Sequence, residues 1–292
     1  MKRCLSFVVT VAVLIGPPPR VAAQAAKPNV RVEQGLVYGK GGDSDLKLDL
    51  AMPNDGTGPF PAIMCIHGGA WRAGKRTDLE KTIEGFAARG YVGVTVSYRL
   101  APASKFPAQL EDCKAAVRWL RANAATYHVN PDRIGVMGFS AGGHLACMLG
   151  LTHQSDGLEG DGGHPDQSSQ VQAVVSFFGP TDFSTKSWSD DLEKDVLLPV
   201  VGASFKERPD LYKRLSPVSY VSKDAPPFLF FHGTADPLVN VRHSRVLAEK
   251  LKEAGVEAQV VELDGEKHGW VGDKLARTLT QTIQFFDDKL KK

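Results

Sequence analysis

Cysteine is scarce in this chain, with four among 292 residues. Cys4 lies ahead of the first apolar run, and Cys65, Cys113 and Cys147 form an odd, sparse set. That excludes a disulfide framework. Buried free thiols are the expected state, with room for one disulfide. Net charge is nearly absent too, at +2, so the chain has no electrostatic footprint for nucleic acid and no polybasic membrane patch. No cluster has metal-ligand spacing, and no glycine pattern matches a nucleotide loop. No metal and no cofactor is therefore expected. Repeats and low-complexity linkers are missing, which points to one domain. What remains is ordinary for a globular protein: 42% hydrophobic and 23% charged residues.

The N-terminus reads as a targeting segment. Lys2 and Arg3 precede apolar residues 5–15, and Val21-Ala22-Ala23 offers a small-residue cleavage site before Gln24. The pattern predicts a secretory signal peptide over residues 1–23 and an exported protein, periplasmic or extracellular, with its domain over 24–292. The rival reading is an uncleaved anchor. The apolar run is too short to span a bilayer, so no stable membrane insertion is expected. Cleavage would remove three basic residues and no acid, leaving a charge of −1.

Strands and helices then alternate. Residues 30–38 and 46–52 read as an antiparallel opening pair around Gly41-Gly42-Asp43. Residues 62–66 form a short apolar run, as in a strand buried on both faces. Further strands are expected at 91–98, 133–137, 171–178, 227–231 and 258–263. Helices are expected at 77–89, closed by Gly90, and at 106–127, 144–151, 241–254 and 273–288. This is an α/β pattern: an open, mostly parallel, doubly wound sheet with helices on both faces.

Two long segments lack this regularity. Residues 152–170 join a helix to a strand, on the edge of the sheet opposite the strand C-termini. Asp156, Glu159, Asp161 and Asp166 raise the question of calcium, but their spacing fits no defined loop. A solvated loop is the expectation. Residues 180–226 instead follow a strand and emerge on the face where sites form in such sheets. They read as a small cap or substrate wall, with Phe183, Trp188 and Leu192 as candidate lining and core packing as the alternative.

The chemistry starts at Gly138-Phe139-Ser140-Ala141-Gly142. This is G-x-S-x-G between a strand-like and a helix-like run, the context in which a serine is held out of the sheet with its hydroxyl exposed. A serine hydroxyl needs a base to take its proton, and a third group to hold the base in the right tautomer. Asp236, in His232-Gly233-Thr234-Ala235-Asp236-Pro237, and His268, in His268-Gly269-Trp270, each follow an apolar strand. The candidate triad is Ser140, Asp236 and His268. Asp182 and Asp273 are rival acids, Asp182 reading as a turn residue. His128, His144, His153 and His164 precede Asp236 and break the order Ser, acid, His. His243 falls inside a helix, and His232 reads as support for the Asp236 loop.

Negative charge on a tetrahedral intermediate needs preorganised N–H donors. Ile66-His67-Gly68-Gly69-Ala70-Trp71 follows the first parallel strand. Its Gly68 and Gly69 N–H groups, with that of Ala141, form the candidate oxyanion hole, and Ala70 N–H is a substitute. His67 reads as a brace. Trp71, Trp188 and Trp270 are the candidate substrate-binding aromatics, each with plain packing as the alternative.

These segments, together with Ser97-Tyr98-Arg99-Leu100-Ala101-Pro102 and Phe106-Pro107-Ala108, resemble the α/β-hydrolase serine esterases. The resemblance is to their bacterial feruloyl-esterase-like branch, near the hormone-sensitive-lipase-like carboxylesterases, and covers residues 30–290. It implies the α/β-hydrolase fold and hydrolysis of short-acyl or aromatic esters, acetyl or feruloyl, in this branch often on plant polysaccharide. Tyr98 to Pro102 carries no chemistry and is expected to pack under the site. The helical N-terminal cap of the hormone-sensitive-lipase group has little room before residue 46. A peptidase or amidase on the same fold is the first alternative, and kynurenine formamidase shares the His-Gly-Gly-x-Trp segment. A non-catalytic binding domain is the second.

Overall fold

The computed structural model describes residues 29–292. The signal peptide expected over residues 1–23 lies outside them. The opening strands β1 (Val30–Gly41) and β2 (Ser44–Pro53) form an antiparallel pair, and β2 runs antiparallel to β4 (Val92–Val96). The strands β3 (Phe60–Ile66), β4 (Val92–Val96), β5 (Val129–Phe139), β6 (Ala173–Phe177), β7 (Phe228–Gly233) and β8 (Ala258–Leu263) are mutually parallel. The described strands make one sheet in the order β1-β2-β4-β3-β5-β6-β7-β8. The expected α/β architecture is therefore present.

Strand alternation divides the core. Ala62, Met64 and Ile66 of β3 point to one face with Val136, Val174, Phe228 and Phe230. Ile63 and Cys65 point to the other with Met137, Val175, Leu229 and Phe231. Helices α1 (Glu80–Ala87) and α8 (Gly272–Leu290) cover this second face. The first is covered by α2 (Ala108–Ala122), α3 (Ala141–Leu151) and α7 (Arg242–Glu253). Phe230 has no exposed surface. Truncating such a side chain to alanine costs about 3–5 kcal/mol. Cys65, Cys113 and Cys147 are buried free thiols, so the disulfide left open by the sequence does not form among them.

Element bounds differ from the sequence reading where local chemistry intervenes. The helix expected from residue 106 starts after Pro107, whose missing N–H suits a helix N-terminus. The helix expected from 77 opens as a 3₁₀ turn, Arg76–Leu79, before α1. The helix expected from 144 begins at Ala141, because tertiary packing overrides the low propensity of Gly142 and Gly143.

The 152–170 connection is largely exposed, as expected of a solvated loop, but it is pinned to the core at Leu158 and Glu159. Leu158 is fully buried. Glu159 accepts from Lys114 Nζ at 2.6 Å and from Arg118 at 2.8 Å, both on α2. The Lys114 ammonium has no solvent exposure, so it requires that partner. No metal-binding cluster occurs among the described residues.

Residues 180–226 leave the C-terminal end of β6 and fold into short helical pieces. These are α4 (Asp190–Leu192), a π-helical turn (Glu193–Leu197), α5 (Leu198–Val201), α6 (Pro209–Arg214) and a 3₁₀ turn (Pro217–Tyr220). Their entry is tied to α7: Thr181 and Asp182 N–H both donate to His243 Nδ1, at 3.1 and 3.2 Å.

Candidate active site

Ser140 sits between β5 and α3 with φ 53° and ψ −117°, a left-handed backbone that a serine adopts only under constraint. Close packing supplies the constraint. A Cβ on Gly138 would lie 2.2 Å from the Gly142 carbonyl oxygen, and one on Gly142 would lie 2.2 Å from that of Ile66. Only glycine lets the elbow close this tightly on itself and on β3. The Ser140 N–H donates to the Phe177 carbonyl at 2.9 Å, tying the elbow to β6.

The loops after β7 and β8 bring the other two residues to Ser140. His268 Nδ1 lies 2.7 Å from Asp236 Oδ2, and His268 Nε2 lies 2.8 Å from Ser140 Oγ. An ionised carboxylate only accepts, so Nδ1 carries the proton and Nε2 is free to take one. Burial alone would raise the pKa of Asp236. Hydrogen bonds from His232, His268 and the Val239 and Leu238 N–H groups outweigh it and hold the carboxyl well below the usual range. His232 donates to the Val239 carbonyl at 2.8 Å and contacts Ser244 Oγ at 2.7 Å, which braces the same loop. Asp182 takes no part. Its Oδ1 accepts from Ser184 N–H and hydroxyl at 3.0 and 2.6 Å.

The glycine-rich loop lies against the elbow. A Cβ on Gly68 would sit 3.4 Å from Ser140 Cβ. The N–H groups of Gly68, Gly69 and Ala141 have no acceptor among the described residues. Two of these peptides are anchored at their carbonyl ends. Tyr98 OH donates to the His67 carbonyl at 3.1 Å, opposite the Gly68 N–H. His67 Nδ1 donates to the Gly68 carbonyl at 2.8 Å, opposite the Gly69 N–H. The His67 ring stacks on Tyr98 with centroids 4.2 Å apart. Tyr98 thus acts on this loop through a hydroxyl that sequence reading took as packing.

The three candidate tryptophans are not gathered around Ser140 as open walls. Trp71 is 3% exposed and donates from Nε1 to His144 Nδ1 at 3.2 Å. Trp188 stacks on Tyr212 at 5.6 Å and donates to Glu193, inside the 180–226 segment. Trp270 is buried on the α8 face and donates to Thr278 Oγ at 3.0 Å. Each indole N–H finds an internal partner, as buried tryptophan requires. Trp270 does border a cavity of about 700 Å³ beside His268, with Glu266, Lys267, Val271 and Lys274. Of the other candidate lining, Phe183 is buried against Trp71 and His144. Sequence reading missed Phe178, whose ring meets His268 edge-on at 4.7 Å. Its position directly after β6, the strand next to the elbow, was the available signal.

The chain resembles known proteins in sequence and fold. The profile of the BD-FAE family matches residues 48–251. Esterase LipQ of Mycobacterium tuberculosis is 32% identical over 243 residues, 82% of this chain and 55% of LipQ. The chain thus spans about half the length of the curated relatives it matches. A truncated carbohydrate esterase from gut microbiota has a TM-score of 0.78 at 27% identity, covering 92% of this chain and 99% of that one. The propionate-bound esterase Est2 of Thermogutta terrifontis has a TM-score of 0.75 at 30% identity, covering 90% and 95%. The chain belongs to the BD-FAE family and carries the α/β-hydrolase fold.

Proposed function

We propose that this chain is a serine carboxylic ester hydrolase working through an acyl-enzyme. The observation that carries the reading is the continuous line Ser140 Oγ, His268, Asp236, with gaps of 2.8 and 2.7 Å. Ser140 attacks the ester carbonyl while His268 Nε2 takes its proton. Asp236 stays ionised and stabilises the imidazolium. The carbonyl oxygen becomes an oxyanion facing the N–H groups of Gly68, Gly69 and Ala141, each such donor contributing roughly 3 kcal/mol to the transition state. The tetrahedral intermediate collapses, His268 protonates the leaving alcohol, and water repeats the sequence on the acyl-enzyme. No cofactor enters these steps.

The substrates in this reading are short-acyl or aromatic esters, acetyl or feruloyl, carried on small molecules or plant polysaccharide. Relatives named as esterases, one of them a carbohydrate esterase and one with propionate bound, support that class. Residues 180–226 act as the cap over the site. The signal-like N-terminus supports export. No described helix is long and apolar enough to cross a membrane. The test is a panel of acetyl, butyryl, octanoyl and feruloyl esters, run with wild type and Ser140→Ala. Preferential turnover of acetyl or feruloyl esters that disappears in the folded variant supports the reading. Full turnover by Ser140→Ala sinks it.

A further inference from the structure

Ser140 and Phe178 follow neighbouring strands, and both have left-handed backbones, with φ 53° and 41°. The elbow accounts for Ser140. It does not account for a bulky aromatic at positive φ, which is an outlier and persists only where the surroundings enforce it. The Phe178 N–H donates to the Phe231 carbonyl at 2.7 Å. The next residue runs tight against α3: a Cβ on Gly179 would lie 2.6 Å from the Gly143 carbonyl carbon. Between these two restraints the Phe178 ring is carried onto His268, with centroids 4.7 Å apart and planes at 61°. Trp270 backs the ring at 5.3 Å and Phe139 at 6.1 Å.

The His268 ring needs such a surface. Its two hydrogen bonds, one at each nitrogen, fix an axis through the imidazole. Rocking of the ring about that axis changes neither N···O distance much, so the bonds resist it weakly. An aromatic edge packed on the ring resists it directly.

We propose that Phe178 is a positioning residue for His268. Held by its left-handed backbone and by Trp270 and Phe139, its ring keeps the imidazole in the plane that bridges Asp236 and Ser140. The proposal rests on the triad reading above. It also gives the β6 terminus two connections to the site, since Phe177 holds the Ser140 N–H while Phe178 holds the base.

The test uses Phe178→Leu, Phe178→Met and Phe178→Tyr in the full chain. Methionine keeps the volume without a flat ring. Tyrosine keeps the ring, and its hydroxyl would extend towards Gly269, where a Cβ would be in ordinary contact at 3.7 Å from Phe178 Cζ. With p-nitrophenyl acetate, kcat per folded molecule is expected to fall on the order of 10- to 100-fold in the leucine and methionine variants. KM should hold, and tyrosine should restore kcat. The downfield NMR proton of His268 Nδ1 should be sharp in wild type and tyrosine and broadened in the other two. If leucine prevents folding, the methionine variant carries the comparison. If methionine also prevents folding, a low kcat in a folded tyrosine variant overturns the proposal. Folded variants with lowered melting temperature but wild-type kcat and a sharp resonance overturn it. Turnover by Ser140→Ala would instead overturn the triad reading itself.

Discussion

The indole Nε1–H of Trp71 donates to Nδ1 of His144 at 3.2 Å, and Nε2 of the same imidazole donates to the Leu215 carbonyl at 2.7 Å. One buried side chain on α3 thereby joins the glycine-rich loop to the 180–226 segment. This bridge needs a neutral imidazole, because a proton on Nδ1 would face an N–H donor.

Acid should loosen this bridge. Burial is the main cause pushing the pKa of His144 down, to about 4, with His243 adding to it and the Leu215 bond opposing. The folded value lies below the unfolded one of about 6.5, so between them the unfolded chain binds more protons. The contribution is fully present above about 6.5 and is lost as pH falls towards 4, by up to about 3 kcal/mol. Denaturant midpoints of wild type and His144→Gln between pH 7.5 and 4.5 check this. The variant is expected to be less stable at pH 7.5 and to lose less on acidification.

The ionised Asp236 serves both activity and stability. Its carboxyl, held well below the usual carboxylate range, stays ionised across the working range. With its folded pKa depressed, its contribution to stability is present above about 3.9 and lost as pH falls below that value. Asp236→Asn should lower kcat by about 10³- to 10⁴-fold through the wrong tautomer of His268. Steady-state kinetics of the folded variant measure this.

Tyr98→Phe removes the hydroxyl that anchors the His67 carbonyl. Loss of that bond should cost about 1 kcal/mol of stability. If the anchored peptide aims the Gly68 N–H, kcat should drop as well, by less than the ~10²-fold that losing a whole donor costs. KM should change little. Thermal melts and initial rates on one ester separate the two effects.

Glu159→Ala leaves the fully buried Lys114 ammonium without its carboxylate. A broken buried pair costs on the order of 3–5 kcal/mol. The site lies at the other end of the sheet, so kcat of the folded fraction should be unchanged. Urea unfolding of Glu159→Ala beside wild type tests the first part, and an esterase assay the second.

Legibility followed periodicity and chain order. The apolar runs of β3, β6 and β7 read directly as buried strands, and the meeting of Ser140, Asp236 and His268 was legible because they follow β5, β7 and β8 in turn. The tryptophans were not, since a loop aromatic near a site looks the same in sequence whether its indole faces substrate or His144. Tyr98 was undervalued because its hydrogen bond spans 31 residues and leaves no local pattern. Glu159 looked solvated because its partner Lys114 lies on the face of α2 that the amphipathic pattern marks as core. Phe178 passed as the end of a strand, since a left-handed phenylalanine has no compositional signature.

The central claim is that Ser140 is a nucleophile activated by His268. Intact-protein and peptide mass spectrometry after treatment with a fluorophosphonate tests it most directly, with esterase activity followed in parallel. A single adduct on Ser140, formed at the rate activity is lost and absent from Ser140→Ala and His268→Ala, is the predicted result. An active protein that takes no adduct at Ser140, or an adduct there that leaves activity intact, would contradict the claim.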